Sequence, residues 1–259
     1  MRILVTFAVE AEFAPWRAIR RFQKVKINEK HYSGGVDVLQ TSIGENVVWV
    51  LLTGMGIKLF DHQTACCLRD AGLDVIVSSG LVGALKSNYS IGDVLVPKSI
   101  ADLRDVATVS TTDTLCEFAE DKGAILIGTL LTADHIVKTE EEKSRLAIFG
   151  DAVDMESVHL MKVFQDLNLP MVTVRAVSDA SNEDLPLDFA EAITPDGKVK
   201  ITSLIKQLVD RPAKILALVR FGQRSKSAAR KLAKFLDEFV GSLTPEVVSR
   251  QRAAAGAHE

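Results

Sequence analysis

Cysteine is scarce in this 259-residue chain: there are three, two of them adjacent at Cys66 and Cys67. That number and spacing build neither a disulfide framework nor a zinc signature, so a reducing compartment is the simpler expectation and no metal is expected. Net charge is almost absent as well. Thirty-one basic and 34 acidic side chains leave −3, with no global electrostatic reason to bind nucleic acid. No uninterrupted apolar run approaches a membrane span. Residues Arg2 to Ala8 resemble a short signal core, but Glu10 and Glu12 follow at once without a small-residue cleavage pattern, so a cytoplasmic location is expected. Glycine-rich passages exist, yet none matches a P-loop or a dinucleotide fingerprint, and no cofactor is implied.

What is present is an ordinary globular composition, 47% hydrophobic and 25% charged. Short apolar runs alternate with amphipathic stretches. Strands are expected over Ile3–Ala8, His31–Gln40, Asn46–Leu52, Asp74–Ser78, Val94–Pro97, Ala124–Leu131 and Met171–Val177. Helices are expected over Ala11–Arg21, Lys58–Ala71, Leu115–Lys122, Thr139–Phe149, Met155–Asn168 and Val199–Val209. The alternation implies an α/β three-layer sandwich around a mixed, mostly parallel sheet. The end of the chain differs in character. Between Arg211 and Lys231 there are seven basic residues and no acidic one, interleaved with Ile215, Leu216, Leu218, Val219 and Phe221. Gly222 is expected to break this stretch, with a helix resuming over Ser225–Val240 and a frayed tail after Gln251. The division expected is a catalytic domain over residues 1–209 and a basic helical extension over 210–259. That extension reads as a packed layer with solvated charges, or as a weak contact for an acidic surface or membrane headgroups.

Chemistry concentrates at inferred strand ends. Val172 to Asp179 reads as a buried strand that carries Arg175, Ser178 and Asp179, and buried charges need partners. Asp154 and Glu156 precede a helix; Glu12 follows the first strand. Open α/β sheets present ligand sites at such carboxyl ends. Each residue has a plain alternative. Glu156 serves either ribose hydroxyls or a helix start, and Arg175 either pairs with a carboxylate or holds a polar reactant. The glycines at 54, 56, 80 and 83 mark tight passages that permit positive φ or close ligand approach.

Taken in order, Ala8-Val9-Glu10-Ala11-Glu12, Gly54-Met55-Gly56, Gly80-Leu81-Val82-Gly83-Ala84-Leu85, Ile91-Gly92-Asp93, Thr132-Ala133-Asp134-His135-Ile136-Val137, Val153-Asp154-Met155-Glu156 and Val174-Arg175-Ala176-Val177-Ser178-Asp179 form a constellation. It resembles the nucleoside phosphorylase and nucleosidase superfamily, on the side of the methylthioadenosine/S-adenosylhomocysteine nucleosidases. The resemblance implies hydrolysis of an adenine nucleoside and a homodimer. It implies Glu12 as the group activating water and Asp179, steadied by Ser178, as the acid serving the purine. It further implies Met155 and Glu156 at the ribose, Ile136 and Val137 at the base, Arg175 near the water, and Val82 and Gly83 along the substrate. Leu81 stands where the family pattern has a serine hydroxyl, and the stretch between Val96 and Leu130 is shorter than in relatives. A phosphorylase, with Arg104 or Lys58 as phosphate donors, and a non-catalytic nucleoside binder remain alternatives. So does an enzyme for an adenosyl group attached to a larger apolar molecule.

Overall fold

The computed structural model describes residues 1–28, 35–55, 62–105, 108–165, 167–186 and 214–249. In chain order the elements are β1 (Arg2–Phe7), α1 (Glu10–Ile19), β2 (Gln23–Asn28), β3 (Gly35–Ile43), β4 (Asn46–Leu52), α2 (His62–Arg69), β5 (Val75–Ala84), β6 (Val94–Asp102), β7 (Thr108–Ser110) and α3 (Asp113–Asp121). There follow β8 (Ile125–Thr132), α4 (Glu140–Leu146), β9 (Ala152–Asp154), α5 (Ser157–Gln165), β10 (Met171–Asp179) and a long helix, α6 (Lys214–Ser242).

The sheet is mixed. At its centre β1 runs parallel to β4 and β5, and β5 runs parallel to β10. From β5 the pairing returns on itself through β10, β6, β8 and β9, closing a ring of five strands, while β4, β3 and β2 extend from β1 as an open wing. Every residue of β10 is buried. Such a strand must be covered on both faces, and that explains its run of β-branched and small residues. One covering layer is α1, α3 and α6, whose Phe13, Trp16, Leu115, Leu232 and Phe239 share a core with Val5, Val77 and Val174. The other is α2 and α5, whose Leu68, Leu160 and Phe164 pack with Leu4, Ile76 and Leu95. This is the expected α/β three-layer arrangement.

Several expectations are corrected. Residues 80–84 are not a strand-to-loop passage; they continue β5, with Gly80 paired to Arg175 and Gly83 paired to both Asp179 and Val153. Their glycines serve close approach rather than positive φ, because a Cβ on Gly83 would lie 2.9 Å from Asp179 Oδ2 and one on Gly80 3.2 Å from Glu12 Oε1. Gly222 does not interrupt α6. An exposed helical glycine costs only about 1 kcal/mol relative to alanine, and Ala228, Leu232, Leu236 and Phe239 on the inner face are fully buried. Strand β2 was not expected, and its lysine-rich face explains why: Lys24 and Lys26 are exposed on an outer strand of the sheet. Helix α5 starts at Ser157 rather than Met155, because Met155 and Glu156 form the bend that joins the short strand β9 to it. The expected helix over Val199–Val209 and the tail after Gln251 lie outside the described residues, as do Gly56, Lys58 and the segment 29–34.

Candidate active site

The carboxyl ends of β1, β5, β9 and β10 meet at one cavity of about 1250 Å³. Among the expected residues, Glu12, Val82, Gly83, Ile136, Val137, Met155, Glu156, Ser178 and Asp179 all line it. Arg175 does not.

Glu12 sits on the first turn of α1 and reaches back to the chain that enters the helix. Its Oε2 accepts from Ala8 N–H at 3.1 Å and Val9 N–H at 3.4 Å, and its Oε1 accepts from Leu81 N–H at 3.0 Å. Burial pushes this carboxyl above its ordinary range, against the lowering effect of those donors and of the Arg175 charge. A carboxylate held by three backbone donors but desolvated is fixed in place and disposed to take a proton. The Leu81 contact uses the main chain, so it does not depend on the serine hydroxyl missing at that position.

At the other end of the same stretch of β5, Asp179 closes β10. The register of β10 on β5 shifts between Val177 and Asp179, a bulge that re-aims the last residues of the strand. Ser178 Oγ lies 2.7 Å from Asp179 Oδ1 and 3.1 Å from the Val82 carbonyl. Asp179 Oδ2 accepts from Lys143 Nζ at 2.7 Å. Lys143, on α4, is wholly buried, and its ammonium also donates to the carbonyls of Ala180 and Glu183 at 2.7 and 3.1 Å. All three ammonium hydrogens are thus engaged, so Lys143 clamps Asp179 and the chain after it. Sequence reasoning missed this residue. Lys143 follows three glutamates at the start of a short helix, a context that reads as a solvated surface, and nothing local distinguishes it.

Arg175 is turned from the cavity into a buried network. It donates from Nε to Asp154 Oδ2 at 2.9 Å, from Nη2 to Ser78 Oγ at 3.0 Å and Ser157 Oγ at 2.7 Å, and from Nη1 to the Val174 carbonyl at 3.2 Å. Asp154 in turn accepts from Thr132 Oγ1 at 3.0 Å and from the Ser157 amide at 3.2 Å. The network fixes β9 and the start of α5, and with them the half-buried Met155 and Glu156 that face the cavity.

His135 lies at the rim with Nδ1 2.7 Å from Asp134 Oδ1 and Nε2 2.7 Å from Glu142 Oε1. The hydrogen bond to Asp134, then that to Glu142, raises its pKa. Arg104, considered as a phosphate donor, stands in ion-pair range of Asp102 and Asp134 instead; Lys58 is outside the described residues. The far wall of the cavity is made by two helices. From α1 come Ala11, Ala14, Pro15, Ala18 and Ile19; from α6 come Leu218, Phe221, Gly222 and Ala233, with Lys226, Arg230, Lys231 and Lys234 also among the lining.

A family model for the phosphorylase superfamily matches residues 2–210. The 5′-methylthioadenosine/S-adenosylhomocysteine nucleosidase of Buchnera aphidicola subsp. Schizaphis graminum is 25% identical over 236 residues, covering 82% of this chain and 97% of that protein. Among solved structures, the nucleosidase of the same description from Neisseria meningitidis, in complex with methylthio-immucillin-A, has a TM-score of 0.68 at 20% identity, over 93% of this chain and 99% of that one. The futalosine hydrolase of Helicobacter pylori has a TM-score of 0.68 at 18% identity, over 94% and 98%. At these identities the structures speak for the fold.

Proposed function

Because this chain belongs to the phosphorylase superfamily, we propose that it hydrolyses the N-glycosidic bond of an adenine nucleoside, with 5′-methylthioadenosine and S-adenosylhomocysteine as reference substrates. The observation that carries the reading is the placement of two carboxylates along one strand. Gly80 of β5 faces Glu12 and Gly83 faces Asp179. Three strand residues span about 10 Å, room for a ribose at one end and a purine at the other, with Glu156 beside them.

The chemistry follows from where charge develops. As the C1′–N9 bond breaks, its electron pair enters the purine and cationic character grows on the ribose. Water adds to C1′ and its proton passes to Glu12, whose burial suits it to that task. Asp179 serves the purine edge, accepting from the exocyclic amine and passing a proton to N7, with the Lys143 ammonium as its proton-bearing neighbour. Glu156 accepts from ribose hydroxyls, Met155 packs beside the sugar, and Ile136 and Val137 flank the base. Arg175 acts through Asp154 and Ser157 as a positioning residue. Water is favoured over phosphate as the nucleophile because the group held beside Gly80 and Leu81 is a carboxylate, and the Arg175 guanidinium is turned from the cavity onto Asp154, Ser78 and Ser157.

The 5′ group is proposed to be extended and apolar. Pockets for drug-sized ligands run to about 1,000 Å³, and this cavity exceeds that range. The wall made by α1 and α6 offers small and apolar side chains, with Lys226, Arg230, Lys231 and Lys234 bordering them. Residues 1–209 are taken as the catalytic unit, with α6 as the wall of the 5′ arm.

Incubation with 5′-methylthioadenosine, with and without inorganic phosphate, tests the reaction class. Free sugar and adenine in both samples is the expected result. Sugar-1-phosphate formed only with phosphate would make the protein a phosphorylase, and binding without turnover would make it a nucleoside binder.

A further inference from the structure

Helix α6 has two faces with different tasks. The inner face is buried or turned to the cavity. On the other side, successive residues at 100° spacing align Leu216, Val219 and Arg220, which stand clear of the cavity, with Arg230, Lys231 and Lys234, which also border it. All six are exposed, Leu216 by 58% and Val219 by 49%. Between Arg211 and Leu236 the sequence has no acidic residue. Among the described residues Arg220, Lys226, Arg230, Lys231 and Lys234 form no ion pair; Arg224 alone on this stretch is paired, with Glu183. The stripe is therefore a local concentration of positive charge on a chain whose formal net charge is −3.

We propose that this face of α6 docks on an anionic lipid surface. Cations alone would suit any polyanion. The aliphatic side chains among them select a layered partner, in which phosphates meet the arginines and lysines while Leu216 and Val219 enter the acyl boundary. The position of the helix agrees. Leu218, Phe221 and Gly222 on its other side wall the apolar arm of the cavity, and Ile19 of α1, 55% exposed, stands on the opposite wall. Docking through α6 sets the mouth of that arm at the lipid boundary. No described helix is long and apolar enough to cross a membrane, so the contact is peripheral and reversible. The docking itself is independent of the nucleosidase reading; only the entry of an apolar 5′ group from the lipid phase rests on it.

The test is co-sedimentation of the full chain with sucrose-loaded vesicles of phosphatidylcholine alone, or with about one third phosphatidylglycerol, at low and physiological salt. The expected result is at least about tenfold stronger retention on the anionic vesicles, declining as salt rises. Leu216→Ser/Val219→Ser and, separately, Arg220→Glu should each reduce retention several-fold; none of these side chains lines the cavity. Thermal melting and adenine release from 5′-methylthioadenosine, read on the same samples, show whether each variant is folded. Absence of binding by the parent chain, equal binding to neutral vesicles, or unchanged retention of both variants would overturn the proposal. Capture by heparin without vesicle binding would also overturn it, assigning the face to a soluble polyanion.

Discussion

Glu12 is subject to opposing demands that can be read separately. Its ionised form is proposed to take the proton from water, yet burial disfavours that form. The folded pKa lies above the ordinary value, so between the two the folded chain binds more protons than the unfolded one. Stability then falls as pH rises through that window and stays low above it. Glu12→Gln removes the penalty. Such a protein should melt at or above the parent temperature at neutral pH, bind nucleoside largely as before, and fail to hydrolyse it. Calorimetry and equilibrium binding decide this; a lower melting temperature with equal loss of binding would mark Glu12 as a folding residue. In the parent, kcat/KM should fall on the acid side beginning above the usual carboxylate range. Asp179 is tested with its partner. Asp179→Asn should lower turnover by ~10²-fold or more. Lys143→Met strands a buried carboxylate and should cost about 3–5 kcal/mol of stability. Adding Asp179→Asn to Lys143→Met should restore part of that loss in denaturant titrations; additive losses would refute a coupled pair.

Strand β5 joins the two carboxylates, and its glycines are where element and site meet. Gly83 is held by β10 on one side and β9 on the other, so the strand has little freedom to yield. Gly83→Ala places a methyl 2.9 Å from Asp179 Oδ2. The carboxyl must shift, and displacements of this size can cost up to ~10²-fold in rate. The expected outcome is a large drop in kcat with the melting transition retained; full activity would mean that Asp179 is not the purine-binding acid. Helix α6 shows the same dependence at larger scale. Trp16 Nε1 and Arg20 both donate to Asp237, and Asn46 donates to the carbonyls of Val240 and Leu243, which fixes the C-terminal half of α6 on α1 and β4. Leu232→Ala should therefore lose roughly 2–5 kcal/mol, as buried leucine truncations do.

For the whole molecule, α6 is the element whose removal separates a lid from a structural layer. Ala228, Leu232, Leu236 and Phe239 belong to the same core as β1, β5 and β10. A chain ending before Lys214 should lose cooperative unfolding rather than merely show a raised KM, a difference visible by calorimetry beside kinetics. A homodimer is the assembly proposed from the resemblance to nucleosidases. Light scattering at micromolar concentration checks it, and a monomer would leave the cavity open to a bulkier 5′ group.

Periodicity and strand-end chemistry were enough to place most elements of the α/β sandwich and to single out Glu12, Glu156 and Asp179, because burial patterns and charges on apolar strands are local signals. Two carboxylates in one cleft follow from where strands end, and strand ends are written in the sequence. What lies across from them is not. That Arg175 turns away to Asp154, that Lys143 leaves an acidic helix start to hold Asp179, and that Gly80 to Ala84 remain in the sheet depend on pairings between residues tens of positions apart. The same is true of α6. Its basic stretch was visible in the sequence, but the continuous helix through Gly222 and its place as a cavity wall were decided by burial of its inner face. Local propensity at one glycine is worth about 1 kcal/mol; the packing of a long helix on a shared core outweighs it.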